Sequence, residues 1–240
     1  MITIKDVRKM YGNLCALTID CLEIQDGQMI GLIGANGAGK TTLLKAISGL
    51  LRLEGNILFD DIQNDIELHE KVIFITEEFS FFNGLSIKAH ADFLSDFYRQ
   101  FDRERFFKLL EFFELPMHRK PRSLSRGQKA KLEIAIGFSK GGKYLLLDEP
   151  FLGNDVFTRR NFLRLMADSL KADETIVIAT HLLDEIENLI DRGIILYKGQ
   201  VAYDVMIDDI REQGESLEDL IKKTFDYEEN RFAEMFYGEN

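Results

Sequence analysis

Between residues 2 and 33 apolar and polar positions alternate, with Ile2, Ile4 and Val7 marking one segment and Leu17, Ile19 and Leu22 a second. A period of two predicts half-buried strands. The run from Met29 to Ile33 is apolar throughout and predicts a strand covered on both faces. Strand signals return in "GNILFDD" (55–61) and "KVIFIT" (71–76), so a β-rich layer is expected to flank the glycine-rich turn between them. From 86 to 140 the period lengthens: "SIKAHADFLSDFYRQF", "DRERFFKLLEFFEL" and "GQKAKLEIAIGFS" carry helical spacing and predict a helical insert. Apolar runs then resume in "KYLLLDE", "TIVIATH" and "RGIILYKG", alternating with helical segments around 157–171 and 182–190. That alternation is the mark of βαβ units and a largely parallel sheet.

Composition narrows the classes. A chain of 240 residues, 45% apolar, can bury a sizeable core, and with three prolines and no Gly/Ser-rich tract it reads as one domain with subdomains. The 30 basic and 41 acidic residues leave a net charge of −11, which opposes attraction to phosphate backbones and argues against nucleic acid as a main partner. Twelve of the acids and four of the bases lie in 204–240, so most of the imbalance is terminal. Cys15 and Cys21 form no CxxC pair and are expected to be small buried hydrophobes in a reducing compartment. The first residues lack the apolar core of a signal peptide, and no uncharged run approaches a membrane span, so a cytosolic chain is expected.

The chemistry concentrates in three places. "GLIGANGAGKTTLLKAISGL" follows an apolar strand and opens a helix with Leu43, Leu44 and Ile47 on one face and Gly49 at its end. Gly34, Ala35, Asn36, Gly37, Ala38, Gly39, Lys40 and Thr41 fit the GxxxxGK[ST] loop. Glycines there let successive N–H groups converge on phosphate oxygens, the helix start adds its positive dipole end, Lys40 reaches the β and γ phosphates, and Thr41 ligates Mg²⁺. The second place is "KYLLLDEPF", which sets Asp148 and Glu149 at the carboxyl end of a buried strand, 108 residues after Lys40. Asp148 is the candidate Mg²⁺ holder and Glu149 the candidate base toward an attacking water.

The third is "SLSRGQKAKLEIA". Ser125 and Gln128 stand at capping-box spacing before an amphipathic helix, amid a run of basic residues with no acid until Glu133. Locally this is a helix cap. Its free N–H groups and Gly127 also suit a phosphate.

Together these motifs resemble the nucleotide-binding subunits of ABC transporters. "GANGAGKT", "LLLDEP", the "LSRGQ" signature, "EPFLGND" with Asp155, the "ATH" that supplies His181, and "MYGNLCAL" with Tyr11 occur in the family's order over roughly residues 2–203. The resemblance implies an α/β P-loop NTPase fold of ABC ATPase architecture: a mostly parallel core sheet, an antiparallel β layer and a helical subdomain at about 80–140, all within 1–203, followed by an acidic helical extension at 204–240. It implies ATP and Mg²⁺ as cofactors, with Tyr11 stacking on adenine and Thr42 joining the cradle. It implies Glu149 and His181 as catalytic residues, and a homodimer or heterodimer in which Ser125, Gly127 and Gln128 face the partner's ATP. The remaining partner is a transmembrane permease, touched from the cytoplasmic side. Where the family places a glutamine that contacts Mg²⁺, this chain offers Glu77, which brings charge beside the γ phosphate. The phenylalanine-rich insert resembles exporter ATPases. The alternative is an ABC ATPase without a transporter, of the kind serving Fe–S cluster assembly.

The tail adds one structural expectation. Ser216 and Asp219 are at capping spacing, with Leu217, Leu220, Ile221 and Phe225 on a helical face. A helix packed on its own domain is the expected outcome.

Overall fold

The computed structural model describes residues 1–60, 62, 65–76, 79–150, 159, 162–166, 173–181 and 183–224, with 184 and 185 by backbone only. Strands β1 (Ile2–Tyr11) and β2 (Leu14–Ile24) form an antiparallel hairpin, and β4 (Glu54–Phe59) pairs with the other edge of β1. Alternation turns Ile2, Ile4, Val7, Leu17, Ile19 and Leu22 inward, none more than 3% exposed. Cys15 and Cys21 correct the expectation of burial, for both are exposed. The inward positions of β2 are filled by Leu17, Ile19, Leu22 and Ile24, so Cys15 precedes the inward set and Cys21 faces out beside Asp20.

The main sheet runs β5 (Val72–Ile75), β6 (Tyr144–Asp148), β7 (Thr175–Thr180), β3 (Met29–Ile33), β8 (Arg192–Tyr197) and β9 (Gln200–Met206). Every pairing is parallel except β8 with β9. All five residues of β3 are buried, because both faces are covered. Ile30 and Leu32 join the core shared with the antiparallel sheet, together with Leu43, Leu44 and Ile47 of α1 (Lys40–Ile47). Met29 and Ile33 join the core on the opposite face, which the helices cover. The glycine-rich turn is thus bracketed by one strand and one helix that share a core.

The helical insert takes the form that its spacing predicts. Helix α3 (Ile87–Phe97) is capped by Ser86, whose Oγ accepts from the Ala89 N–H, and α4 (Arg103–Phe112) by Asp102, which accepts from the Arg105 N–H. A 3₁₀ turn at Pro121–Ser123 leads into α5 (Arg126–Ser139). Half-buried Arg105 and buried Glu174 form an ion pair of 2.9 Å that ties α4 to the residue before β7.

Further helices are α2 (Asp65–Lys71), α6 (162–166), α7 (Leu183–Ile186), α8 (Ile207–Glu212) and α9 (217–224). The sheet continues through Met206, past the 203/204 boundary expected from sequence. Leu217 then packs over Gly193 of β8, where a Cβ would lie 2.6 Å from its Cδ2. Ser216 and Asp219 cap α9 reciprocally, and Leu220 is buried; Phe225 lies outside the described residues. The start of the acidic tail therefore packs on its own domain. No described helix is long and apolar enough to cross a membrane.

Candidate functional site

Six residues carry the chain from the end of β3 to the start of α1. Gly34 is confined there, since a Cβ would run into the Leu196 carbonyl oxygen. Gly39 has φ 108°, and a Cβ on it would come within 2.9 Å of the Ala16 carbonyl oxygen. The loop is held from outside as well as within: the Gly199 N–H donates to Ala38 O at 3.0 Å, and Thr18 donates to Gly199 O at 2.7 Å. Gly199 belongs to the turn between β8 and β9, which no motif had singled out.

Lys40 is only 6% exposed. Its Nζ donates to Gly34 O at 2.7 Å and Ala35 O at 3.3 Å, and stands 4.0 Å from Glu149 Oε1. Burial lowers its pKa, while the carboxylates of Glu149 and Asp148 pull the other way. A cation held by carbonyl dipoles of its own loop keeps the loop curled and stays available to an anion entering the curl.

Asp148 ends β6, and its Oδ1 is buried with no hydrogen-bond partner among the described residues. Burial raises its pKa, against the Thr41 hydroxyl and the Lys40 charge, which favour the ionised form. A buried carboxylate oxygen left open beside a threonine hydroxyl and a phosphate-sized loop fits a hard divalent cation. These residues could hold Mg²⁺.

Glu149 follows in the left-handed region, with φ 46°, its N–H donating to Ala179 O at 2.9 Å. Such a backbone costs about 1–3 kcal/mol for a residue other than glycine. His181, just past the end of β7, places Nδ1 3.0 Å from both carboxylate oxygens of Glu149. A carboxylate so placed can orient the ring, which is half-exposed.

Lys40, Asp148 and Glu149 share one cleft of about 300 Å³, within the range of small-molecule sites, and His181 reaches it only through Glu149. Tyr11 lines it together with Ala35, Asn36, Gly37, Gly39, Lys40, Thr41 and Thr42. Asp148 and Glu149 line it too, as do Leu14 and Ala16 of β2, which lie within the "MYGNLCAL" stretch but were not singled out there. Ala38 is buried behind the loop.

Ser125, Gly127 and Gln128 are not part of this cleft. They open α5 as a complete capping box: the Gln128 N–H donates to Ser125 Oγ at 3.2 Å, and the Ser125 N–H to Gln128 Oε1 at 3.1 Å. Ser125 and Arg126 are exposed. Glu77 and Asp155 lie outside the described residues.

Residues 18–152 match the ABC transporter family. The ABC transporter ATP-binding protein YtrB of Bacillus subtilis is 31% identical over 217 residues, spanning 89% of this chain and 74% of that protein. The sulfate/thiosulfate import ATP-binding protein CysA of Vibrio cholerae is 34% identical over 83% of this chain and 57% of its own length. The dimeric structure of the ATP-binding cassette MJ0796, in a post-hydrolysis state with ADP and Pi, superposes with a TM-score of 0.75 at 26% identity, over 86% of this chain and 99% of that one. A cleft built on a phosphate loop after β3, an acid pair at the end of β6 two places along the sheet, and these likenesses converge on one conclusion: the chain is an ATP-binding subunit of the ABC transporter family, and an ATPase.

Proposed function

We propose that two copies of this chain, or one copy and a related subunit, close head to tail around ATP. Each nucleotide lies between the cradle of one subunit and the Ser125–Gln128 turn of the other. The observation that carries this reading is the separation of the two halves: the turn is exposed at Ser125 and Arg126, satisfied by its own cap and absent from the cleft of its own chain. The dimeric form of MJ0796 supports it.

Within the proposed site, Tyr11 stacks on adenine, while Lys40 and the loop N–H groups bind the β and γ phosphates. Glu149 takes a proton from the attacking water, and His181 holds that water and the γ phosphate in line. Thr41 and Asp148, with Glu77 as a third oxygen donor, would hold Mg²⁺, which neutralises charge on the phosphate oxygens when bound. Closure would drive a separate transmembrane permease, docked on the helical layer, with the ATPase peripheral on the cytoplasmic face. Exposed Phe82, Phe97 and Phe112 give that layer apolar surface, and the phenylalanine-rich insert supports export as the direction.

The test is the ATPase rate per mole of protein against protein concentration. A rate that rises and then saturates is expected, with Glu149→Gln eluting as a dimer in ATP and a monomer without it. A rate per mole that is constant down to the lowest measurable concentration would falsify the two-subunit site.

A further inference from the structure

The segment that joins β5 to α3 is gripped at two points outside the cleft. Ser80 donates its backbone N–H to Glu133 Oε2 at 2.6 Å and its hydroxyl to Oε1 at 2.7 Å, so both carboxylate oxygens of Glu133 are engaged by one residue. Phe82 donates its N–H to His90 Nε2 at 3.0 Å, and His90 Nδ1 lies 2.8 Å from Ser86 O, which places the ring proton on Nδ1. Just before Ser80, Phe79 has φ 42°, a conformation that a bulky residue adopts only when its neighbours hold it.

Glu133 is the unusual member of this set. It is 3% exposed on α5, between Leu132 and Ile134, which are themselves buried. A buried carboxylate costs stability that an apolar residue of similar size would not, so its presence is not explained by packing. Its distance from the functional turn offers an explanation. Glu133 lies about two helical turns from Ser125, and a helix is stiff over that length. Holding Glu133 therefore holds the turn. A small cavity lined by Phe79, Arg126, Glu133, Glu149 and Pro150 places this grip beside the carboxylate proposed as the base.

We propose that Glu133 is a positioning residue for ATP hydrolysis: by gripping Ser80 it fixes α5, and with it the Ser125–Gln128 turn, relative to the segment leaving β5. The inference rests on the reading that this turn faces the ATP of a second subunit. Its effect is on the geometry of the closed site and not on the binding of ATP by one chain.

The test is steady-state ATPase kinetics of the full chain at saturating protein. Glu133→Leu removes both acceptors while filling the volume, and kcat is expected to fall about tenfold with KM for ATP within about twofold. Its thermal midpoint should be unchanged or higher, because a buried charge has gone. Ser80→Ala removes one of the two bonds and should lower kcat about threefold. The double variant should be no slower than Glu133→Leu alone, since both changes act through one contact. Glu133→Gln keeps an acceptor for the N–H and should retain about half of kcat or more.

A wild-type kcat in Glu133→Leu overturns the proposal, as do losses that add in full in the double variant. So do kcat, KM and thermal midpoint worsening together. Should the leucine variant not fold, Ser80→Ala on the surface decides alone, and a wild-type kcat in it overturns the proposal. Failure of the two-subunit reading is distinguishable, for it shows in the unaltered chain as a rate per mole independent of protein concentration.

Discussion

The cradle and the turn at the head of α5 are built in opposite ways. In the cradle, Lys40 is buried, Asp148 leaves a buried oxygen open, and Glu149 holds a strained backbone. At the head of α5, Ser125 and Gln128 satisfy each other's N–H groups at the surface. The first arrangement is costly while empty and is relieved by an anion and a cation. The second is stable as it stands. The cradle is thus prepared for a ligand within its own chain, while the turn is a finished surface, as the proposed two-subunit site requires.

Removing the carboxylate proposed as the base toward the attacking water gives the largest expected effect. Glu149→Gln should slow hydrolysis by about a thousandfold, in the range of a lost general base, while ATP still binds. Single-turnover measurement with radiolabelled ATP checks this, and turnover within tenfold of the unaltered chain would remove Glu149 from that role.

Lys40→Met tests the cost of the cradle directly. Loss of charged hydrogen bonds worth about 2–3 kcal/mol should weaken ATP binding on the order of a hundredfold. The empty protein should nevertheless melt higher, by roughly 3 °C, since a buried charge is replaced by an apolar chain. The sign follows from the lowered lysine pKa. The unfolded chain binds that proton more firmly than the folded one, so stability rises as pH climbs into the lysine range. That rise should vanish in the variant. A lower melting temperature for empty Lys40→Met would break the contrast between the two surfaces.

The unequal construction also explains what could be read from the sequence. The cradle is contiguous, and GxxxxGKT names its residues in order; Asp148 and Glu149 stand out because a fully apolar strand ends on them. Ser125 and Gln128 were legible as a cap because the partners are three residues apart. By contrast, Glu133 and Ser80 are 53 residues apart, and Arg105 and Glu174 are 69 apart, so neither pair leaves a local pattern. Helix α2 was not foreseen because it buries no residue and so carries no apolar stripe. Strand β9 escaped for a related reason: its positions alternate between exposed and half-buried, with no fully buried face. Gly199 reads as an ordinary turn residue until the fold brings it against Ala38.

The turn at α5 should respond in the reverse sense to the cradle. Ser125→Ala removes a cap worth about 1 kcal/mol, so the empty protein should melt about 3 °C lower. ATP binding by a single chain should be unchanged, while hydrolysis at saturating protein falls about tenfold if the proposed contact to a second subunit's nucleotide is lost. Titration of a fluorescent ATP analogue beside the ATPase assay separates the two. Weakened binding to the monomer would place Ser125 in its own chain's cleft and erase the distinction.

The smallest effect belongs to His90, which tests whether the helical side owes its stability to such satisfied polar contacts. Burial holds the His90 ring below the usual imidazole pKa, and its partners are the Phe82 N–H and Ser86 carbonyl. Protonating Nε2 would set two donors against each other. The unfolded chain takes up this proton first, near pH 6.5, so folded stability falls as pH drops from there toward the lower folded pKa. About 1 kcal/mol should be lost between pH 7.5 and 5.5 by urea denaturation. His90→Gln, which can still accept from the Phe82 N–H but does not titrate, should flatten that loss and leave hydrolysis at pH 7.5 unchanged. An equal pH slope in the variant would show that acid acts elsewhere in the fold, and that the helical side is no better satisfied than the cradle.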